Sequence, residues 1–479
     1  MKLRDLAEGF TITGSGNPEI TDLAYDSRNI IPGVLYCALV GRNTNGHSFI
    51  PDAERAGAAA LLVARPVDSV LPQIVSADTR EAMAIISDRF FGHPSGKMKL
   101  IGITGTAGKS TTAFIIHSAL RAMGHSSALL TTVQYSTPKA SWPAERTTPE
   151  APDIQRLLSR AVEEGAGFGV MEVSSHGVAE KRILGLEFSA GVFTNLGRDH
   201  LDYHGTEEAY AEAKLEFFRM LPGSAVAAVN ADDPWAYRFV EETPARTILF
   251  SLNGKGELRV KVLTSDIGGL ALELEHGGRA VKSHLPLVGI HNSSNAGAAA
   301  AVLLGLGFEL NAVSSALRSA KGPPGRFEKI GDTKDFLVLV DYAHTPDALS
   351  RALKAARLLT TGKLHLVFGC GGNRDKGKRP LMGRIAEQEA DVVIITTDNP
   401  RDEDPADIIR EILTGMETSP EVVLDRREAI KRAIKALAPG DVLLIAGKGH
   451  EDYMEIKGTR VPFSDRLTAE ELIGEIHAG

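Results

Sequence analysis

Cysteine is nearly absent from this chain, which has only Cys37 and Cys370 in 479 residues. Two thiols cannot build a disulfide framework or a cysteine-rich zinc site, and they suit a reducing cytoplasm. A basic excess is also lacking: 53 Lys and Arg stand against 61 Asp and Glu, a net charge of −8. A nucleic-acid binder would show a basic face, so that class is disfavoured. The first residues, MKLRDLAEGF, lack the apolar stretch of a signal peptide. The longest uncharged apolar run, 296–308, is studded with Gly and falls short of the roughly 18 residues a membrane helix needs. Repeats and low-complexity tracts are missing as well. The expectation is a soluble cytoplasmic protein with no nucleic-acid or membrane partner.

What is present is organised by Gly and Pro. At about 150 residues per domain, 479 residues suggest three domains. Breaker clusters at 92–97 (Gly-His-Pro-Ser-Gly-Lys) and 321–326 (Lys-Gly-Pro-Pro-Gly-Arg) place the boundaries, giving 1–96, 97–325 and 326–479. The first segment mixes short apolar runs, 34–40 and 58–63, with turn signals. After 97, strand, Gly-rich turn and helix repeat. The run 99–104 leads into Gly105, and 153–162 carries apolar residues at helical spacing: Ile154, Leu157, Leu158, Ala161 and Val162. Buried strands are expected at 168–173 and 190–196. Beyond 326 the alternation resumes, with strands at 336–340, 364–368, 392–396 and 442–446 and helices at 346–359, 380–390, 405–414 and 426–437. The fold class is α/β with mainly parallel sheets.

The chemistry-bearing residues sit where strands end. Gly102-Ile-Thr-Gly-Thr-Ala-Gly-Lys-Ser-Thr follows one strand and opens a helix. The strict Walker pattern wants Gly where Ile103 stands, and Gly105 supplies the turn instead. Backbone N–H groups of such a loop can surround phosphates, Lys109 can reach the outer ones, and Ser110 offers a hydroxyl to Mg²⁺. The bland alternative is a Gly-rich turn that holds nothing. Glu172, in Met-Glu-Val-Ser-Ser-His, ends a second strand, where it either holds a phosphate-bound Mg²⁺ or is a solvated charge. A third strand empties into a run that packs Asn195, Arg198, Asp199, His200, Asp202 and His204 into ten positions, a density matching no zinc motif. Lys214 on the helix beyond is by default a solvated surface residue. Asn292 and Asn295 precede a small-residue helix and either cap it or touch a base. In the last segment, Asp341 and His344, Gly369-Cys-Gly-Gly-Asn-Arg, Thr397-Asp-Asn-Pro-Arg and Ala446-Gly-Lys-Gly-His-Glu each leave a strand. Four strands emptying into polar loops predict a second cleft at one sheet edge.

These motifs, in this order, resemble the Mur ligases of peptidoglycan synthesis over nearly the whole chain. The pattern is carried by Gly-Thr-Ala-Gly-Lys-Ser-Thr, Met-Glu-Val-Ser-Ser-His, Phe-Thr-Asn-Leu-x-Arg-Asp-His-Leu-Asp-Tyr-His-Gly, Asp-Tyr-Ala-His-Thr-Pro and Gly-Lys-Gly-His-Glu. The resemblance implies an N-terminal nucleotide-sugar-binding domain, a central P-loop ATPase domain and a C-terminal Rossmann-like domain that binds the incoming amino acid. It implies a monomer acting on small molecules: ATP, UDP-MurNAc-L-Ala-D-Glu and meso-diaminopimelate. The activity implied is amide ligation to the γ-carboxylate of D-Glu through an acyl phosphate. Gly105, Thr106, Ala107, Gly108, Lys109, Ser110 and Thr111, with Asn292, Arg326 and Asp341, would bind ATP. Ser110, Glu172 and His200 would lie around Mg²⁺. Lys109, Glu172, His200 and Lys214 would be catalytic, with Lys214 carbamoylated (N6-carboxylysine), which reverses its default reading.

By the same resemblance, Tyr25, Ser27, Arg42, Asn43 and Thr44 would hold the uridine nucleotide. Thr147, Thr148, Ser174, Glu180 and Arg182 would contact the muramoyl-dipeptide. Arg374, Asp398, Asn399, Pro400, Arg401, Gly447 and Glu451 would form the diaminopimelate pocket, where the Asp398–Arg401 tetrad resembles the signature of that acceptor. Arg401 can meet a carboxylate with a planar fork, and leaving it unpaired penalises lysine. Two residues depart from the pattern: Ala107 stands where Asn is usual, and Glu180 where Gln is common. The rival readings are the same reaction with L-lysine, a folate-type relative, a P-loop phosphotransferase that releases a stable phosphorylated product, and a non-catalytic nucleotide binder.

Overall fold

The structure is a computed structural model that describes residues 1–41, 44–197, 201–331, 333 and 335–478. Contacts divide the chain into two compact units, one of residues 1–258 with 297–313, the other of 259–296 with 314–479. Among the described residues no helix is long and apolar enough to cross a membrane.

The first unit opens with five strands in the order Thr11–Thr13, Gln73–Val75, Ala60–Val63, Leu35–Cys37, Leu23–Ala24. All pairs but the first are parallel. The breaker run at 92–97 forms a 3-10 turn, Pro94–Lys97, in which Pro94 and Ser95 are buried and Ser95 Oγ accepts the Glu187 N–H at 3.0 Å. It leads into the sheet that matters most. There the parallel strands run Arg246–Ser251, Val226–Asn230, Phe188–Phe193, Lys99–Thr104, Phe168–Glu172, Ser127–Leu130. Lys99–Thr104 lies between Phe188–Phe193 and Phe168–Glu172, and its last five residues are fully enclosed. A strand covered on both faces needs a continuous apolar run, which Leu-Ile-Gly-Ile-Thr supplies. Gly102 is required there, because a Cβ would fall 2.5 Å from the Phe217 ring.

In the second unit, Leu258–Asp266, Gly269–His276 and Arg279–Leu285 form an antiparallel ladder. Six strands then run Glu328–Ile330, Leu337–Asp341, Val442–Ala446, Leu364–Phe368, Val392–Ile395, Glu421–Val422, parallel after the first pair. Successive side chains point to opposite faces of a sheet, and here the alternation builds two cores. Leu337, Leu339, Leu364, Leu366, Phe368 and Leu444 join residues of the helices Pro346–Arg357, Lys378–Glu389 and Pro405–Leu413. Val338, Val340, Val367, Leu443 and Ile445 join those of Arg426–Lys435 and Asp465–Ala478. The carboxyl ends of the four inner strands are therefore the exposed edge, and all four polar loops leave from it.

Candidate functional site

The phosphate loop forms as expected between Lys99–Thr104 and the helix Lys109–Ala122. Gly105 has φ +146°, and a Cβ there would lie 2.0 Å from Thr194 Oγ1; Gly108 has φ +82° at the helix start. Only glycine occupies such positions without strain. The loop is braced by the exit of Phe188–Phe193. The Ala107 N–H donates to Asn195 Oδ1 at 2.9 Å, Asn195 Nδ2 donates to the Ala107 carbonyl at 3.1 Å, and Thr194 Oγ1 donates to that carbonyl at 2.7 Å. Lys109 Nζ is 2.8 Å from the Gly105 carbonyl and 3.0 Å from that of Thr106. Lys214 is not a surface residue: it is 1 % exposed, its Nζ donates to the same Gly105 carbonyl at 3.0 Å, and it lies 4.3 Å from the Tyr210 ring centre. Two ammonium groups thus meet one carbonyl of the loop.

Glu172 is also buried, so the reading of an idle solvated charge fails. Parallel register sets Glu172 beside Ile103, one residue before the strand that feeds the loop ends. Ser110 Oγ donates to Glu172 Oε1 at 2.7 Å, as does the Thr132 N–H at 2.9 Å, and Thr132 Oγ1 donates to Oε2 at 3.2 Å. Hard oxygens of one carboxylate and one hydroxyl suit Mg²⁺, which keeps most of its shell for water and phosphate. From Glu172 the bonds run on without a break. Thr132 Oγ1 reaches Thr147 Oγ1 at 3.1 Å, Thr148 Oγ1 donates to the Glu172 carbonyl at 2.9 Å, and Ser174 N donates to Thr148 Oγ1 at 3.0 Å. Arg182 Nη1 donates to the Thr148 carbonyl at 3.0 Å. Ser110 and Glu172, read from sequence as magnesium-side, and Thr147, Thr148, Ser174 and Arg182, read as dipeptide-side, therefore form one polar strip.

Glu180, the acidic departure, is matched. Arg80 Nη2 sits 2.7 Å from its Oε2 and also reaches Glu150, which takes Arg182 at 3.1 Å and Arg146 as well. In the N-terminal segment, the Tyr25 hydroxyl donates to Asp153 Oδ2 at 2.5 Å; burial and that carboxylate push its phenol well above the usual range. Ser27 begins the turn Ser27–Asn29, and the Thr44 carbonyl accepts from Gly41 N at 2.9 Å. Arg42, Asn43, Arg198, Asp199 and His200 lie outside the described residues.

In the second unit, Asp341 is half-buried, and desolvation raises its carboxyl pKa against the pull of Arg326. It accepts from Phe327 N at 2.7 Å and Ala343 N at 2.9 Å. The Arg326 guanidinium lies 4.8 Å from the Tyr342 ring centre, and its buried Nε has no hydrogen-bond partner among the described residues. Asn292 Nδ2 donates to the Val288 carbonyl at 2.8 Å and Asn295 Nδ2 to Asn292 Oδ1 at 2.9 Å, and neither of these bonds takes up a backbone N–H of the helix.

The cleft expected at the sheet edge is there. A cavity of about 520 Å³ is lined by Arg374, Asp398, Asn399, Arg401, Gly447 and Glu451, with Tyr342, His344 and Tyr453. Gly447 (φ +119°) lets Asp398 approach, since a Cβ would lie 2.6 Å from Asp398 Oδ2. Lys448, fully buried, is one that sequence reasoning missed: its Nζ donates to Asn399 Oδ1 at 3.0 Å and Glu451 Oε2 at 3.2 Å. A larger cavity of about 710 Å³ lies behind the tetrad, lined by Pro400 and Arg401 with Leu424, Arg426 and Phe463. Its buried guanidinium, Arg426, is already engaged by Asp465 and two carbonyls. The smaller cavity gathers the converging polar groups and is the better candidate.

A Gly-rich loop at one strand exit, a buried carboxylate at its neighbour's, and a second α/β sheet ending in a charged cleft are the parts of a class: enzymes that use a nucleotide. The family models narrow it. Residues 19–90 match the Mur ligase family catalytic domain, 103–303 the Mur ligase middle domain, and 325–449 the Mur ligase glutamate ligase domain. A UDP-N-acetylmuramoyl-L-alanyl-D-glutamate–2,6-diaminopimelate ligase of Geobacillus kaustophilus (strain HTA426) is 41 % identical over 478 residues, covering 98 % of this chain and 97 % of that protein. A solved structure of an enzyme so named superposes with TM-score 0.72 at 33 % identity, covering 96 % and 95 % of the two chains. The MurF ligase of Thermotoga maritima in complex with ADP shares the fold, with TM-score 0.61 at 21 % identity over 95 % and 96 %. The chain belongs to the Mur ligase family.

Proposed function

We propose that this chain is the ATP-dependent ligase that joins meso-2,6-diaminopimelate to the γ-carboxylate of D-Glu in UDP-MurNAc-L-Ala-D-Glu. The observation that carries the acceptor assignment is that three separate strand exits deliver Arg374, Asp398, Asn399, Arg401, Gly447 and Glu451 to one cavity. The full-length likeness to relatives bearing that name supports the reaction and disfavours the phosphotransferase and lysine readings.

A carboxylate resists attack because its leaving group would be oxide. In this reading a γ-carboxylate oxygen attacks the terminal phosphorus of ATP and ADP departs, leaving an acyl phosphate. The acceptor amine then adds to that carbonyl, loses a proton, and phosphate leaves as the amide forms. Lys109 and the loop amides offset charge as it moves between phosphates. Ser110 and Glu172, with His200, would hold Mg²⁺, which supplies Lewis-acid neutralisation of the phosphates. Asn292, Arg326 and Asp341 serve ATP, and Thr147, Thr148, Ser174, Glu180 and Arg182 serve the dipeptide. Lys214 is carbamoylated in the working enzyme, turning the buried cation into an anion; intact-mass spectrometry checks this. The reading also assigns residues 1–96, 97–325 and 326–479 to nucleotide-sugar, ATP and acceptor domains of a cytoplasmic monomer.

A coupled phosphate assay with the dipeptide nucleotide and ATP tests the reaction. Phosphate should be released with meso-diaminopimelate, barely with L-lysine, and not without amine. Release without amine would instead favour the phosphotransferase. Arg401→Ala should raise KM for diaminopimelate far more than KM for ATP.

A further inference from the structure

Arg401, the residue assigned to the acceptor's second carboxylate, sits in a conformation it would not hold unaided. Its φ is +52°, in the left-handed region that L side chains seldom adopt. What holds it is the hairpin of Tyr453–Ile456 and Thr459–Pro462, a two-stranded sheet beyond Gly447 and Glu451. Arg401 N donates to the Glu455 carbonyl at 2.9 Å, and Lys457 N donates to the Arg401 carbonyl at 2.8 Å, a single bridge that pairs Arg401 with Ile456.

The side chain is held at two of its three nitrogens. Nε donates to Glu455 Oε2 at 3.1 Å, and Nη1 donates to the Gly372 carbonyl at 2.7 Å. A guanidinium offers a carboxylate two forked edges, one through Nε and one through its terminal nitrogens. With Nε taken and Nη1 keeping a second hydrogen, the terminal edge is the one left to a ligand. Glu455 also donates its N–H to Asn399 Oδ1 at 2.9 Å, and Asn399 Nδ2 donates to Glu451 Oε2 at 2.8 Å. One residue of the hairpin therefore touches two members of the tetrad.

We propose that Glu455 is a positioning residue for acceptor selection: its carboxylate sets the Arg401 guanidinium so that the terminal edge meets the carboxylate that diaminopimelate has and lysine lacks. This rests on the acceptor reading above. Glu455 does not itself line the cavity, so its effect runs through Arg401. The backbone bonds of Glu455 survive side-chain truncation, so the hairpin should stay formed in the variants.

The test is steady-state kinetics of the full-length enzyme with meso-diaminopimelate and L-lysine, for wild type, Glu455→Ala, Glu455→Gln, Arg401→Ala and the Ala double variant. Glu455→Ala should raise KM for diaminopimelate about tenfold, the size of one charge-assisted hydrogen bond. Its kcat and KM for ATP should stay within about twofold, and the preference over lysine should fall. Gln keeps an acceptor oxygen for Nε and should recover most of the loss. In the Arg401→Ala background, Glu455→Ala should add nothing. The inference is overturned if Glu455→Ala leaves KM for diaminopimelate unchanged or lowers it, as it would if Glu455 merely competed for the guanidinium. Equal rises for ATP and diaminopimelate, or a Gln variant as poor as Ala, overturn it too. If Arg401→Ala is sensitive while Glu455→Ala is silent, only this inference falls. If wild type does not use diaminopimelate, or Arg401→Ala matches wild type, the acceptor reading falls with it.

Discussion

At the scale of single residues, charge placement carries most of the function. Lys109 contacts the carbonyls of Gly105 and Thr106, so it is held over the loop that would take phosphate. Lys109→Ala should abolish ADP formation while far-ultraviolet circular dichroism stays unchanged; turnover in that variant would remove the phosphate-loop assignment. Glu180 makes a second case. In the proposed dipeptide site its negative charge is offset by Arg80, from the N-terminal segment, which sits on it at 2.7 Å. Arg80→Ala should raise KM for the nucleotide dipeptide several-fold, and adding Glu180→Gln should restore it, since the uncompensated charge is then gone. Glu172 and Lys214 show where sequence alone stops. Motif order points to both, but as isolated residues each reads as an ordinary surface charge. Burial depends on strand register and on which helix face packs inward; Lys214 shares the apolar stripe of Tyr210, Ala211, Leu215 and Phe218, but a lysine on such a stripe reads as an edge position until the packing is known. Arg80, Asn195, Thr132, Lys448 and Glu455 carry no such signal for their roles, because each acts through a partner 40 or more positions away in sequence.

Elements are far more legible. The strands Leu364–Phe368 and Val442–Ala446 fall on the expected residues, and Lys99–Thr104 is visible as an apolar run closed by Gly. Strands buried on both faces must be apolar throughout, which makes them easy to see. The ladder from 258 to 285 does not stand out in the sequence, although Leu270, Leu272 and Leu274 alternate inward as a half-exposed strand should. Polar residues between them dilute the signal. Element boundaries also explain why certain glycines cannot change. Gly105→Ala would drive a Cβ into Thr194 Oγ1 at a φ that alanine resists. It should lower Tm by several degrees and remove ATP-dependent stabilisation, both read by thermal shift with and without nucleotide. The last helix, Asp465–Ala478, depends on one buried pair: Asp465 accepts from Arg426 Nε and Nη2, each at 2.7 Å, and both side chains are sealed from solvent. Asp465→Ala strands a buried guanidinium and should cost about 3–5 kcal/mol in urea unfolding.

At the scale of the whole molecule, acid should weaken both units through the same device. His117, bonded to Ser127 Oγ at 2.8 Å in the first unit, and His450, buried near Arg326 in the second, are each lowered from 6.5 to about 4, chiefly by desolvation. The sign follows from proton counting. Above pH 6.5 each imidazole is neutral folded and unfolded, so neither state is favoured. As pH falls from 6.5 toward 4, the unfolded chain takes up protons that the folded chain refuses, and stability drops; below 4 the loss levels off. At about 1.4 kcal/mol for each tenfold change in proton affinity, the ceiling is roughly 3 kcal/mol for each group, and partial solvent access brings it nearer to 2. Carboxylates act in a lower window. Glu403, bonded to Arg379, is held down to about 2, so its contribution fades only once the pH passes below the ordinary glutamate range. Thermal unfolding between pH 6.5 and 4.5 therefore leaves out the arginine-paired carboxylates, while Asp341 and Glu328, raised by burial, oppose the loss as they take up protons in the folded chain. The wild type should lose Tm steadily across that range, His117→Gln and His450→Gln should each flatten the slope, and the double variant should flatten it most. An unchanged slope in the double variant would mean that the acid sensitivity of this window lies outside these two imidazoles, with groups such as His47 and His291, which burial also lowers.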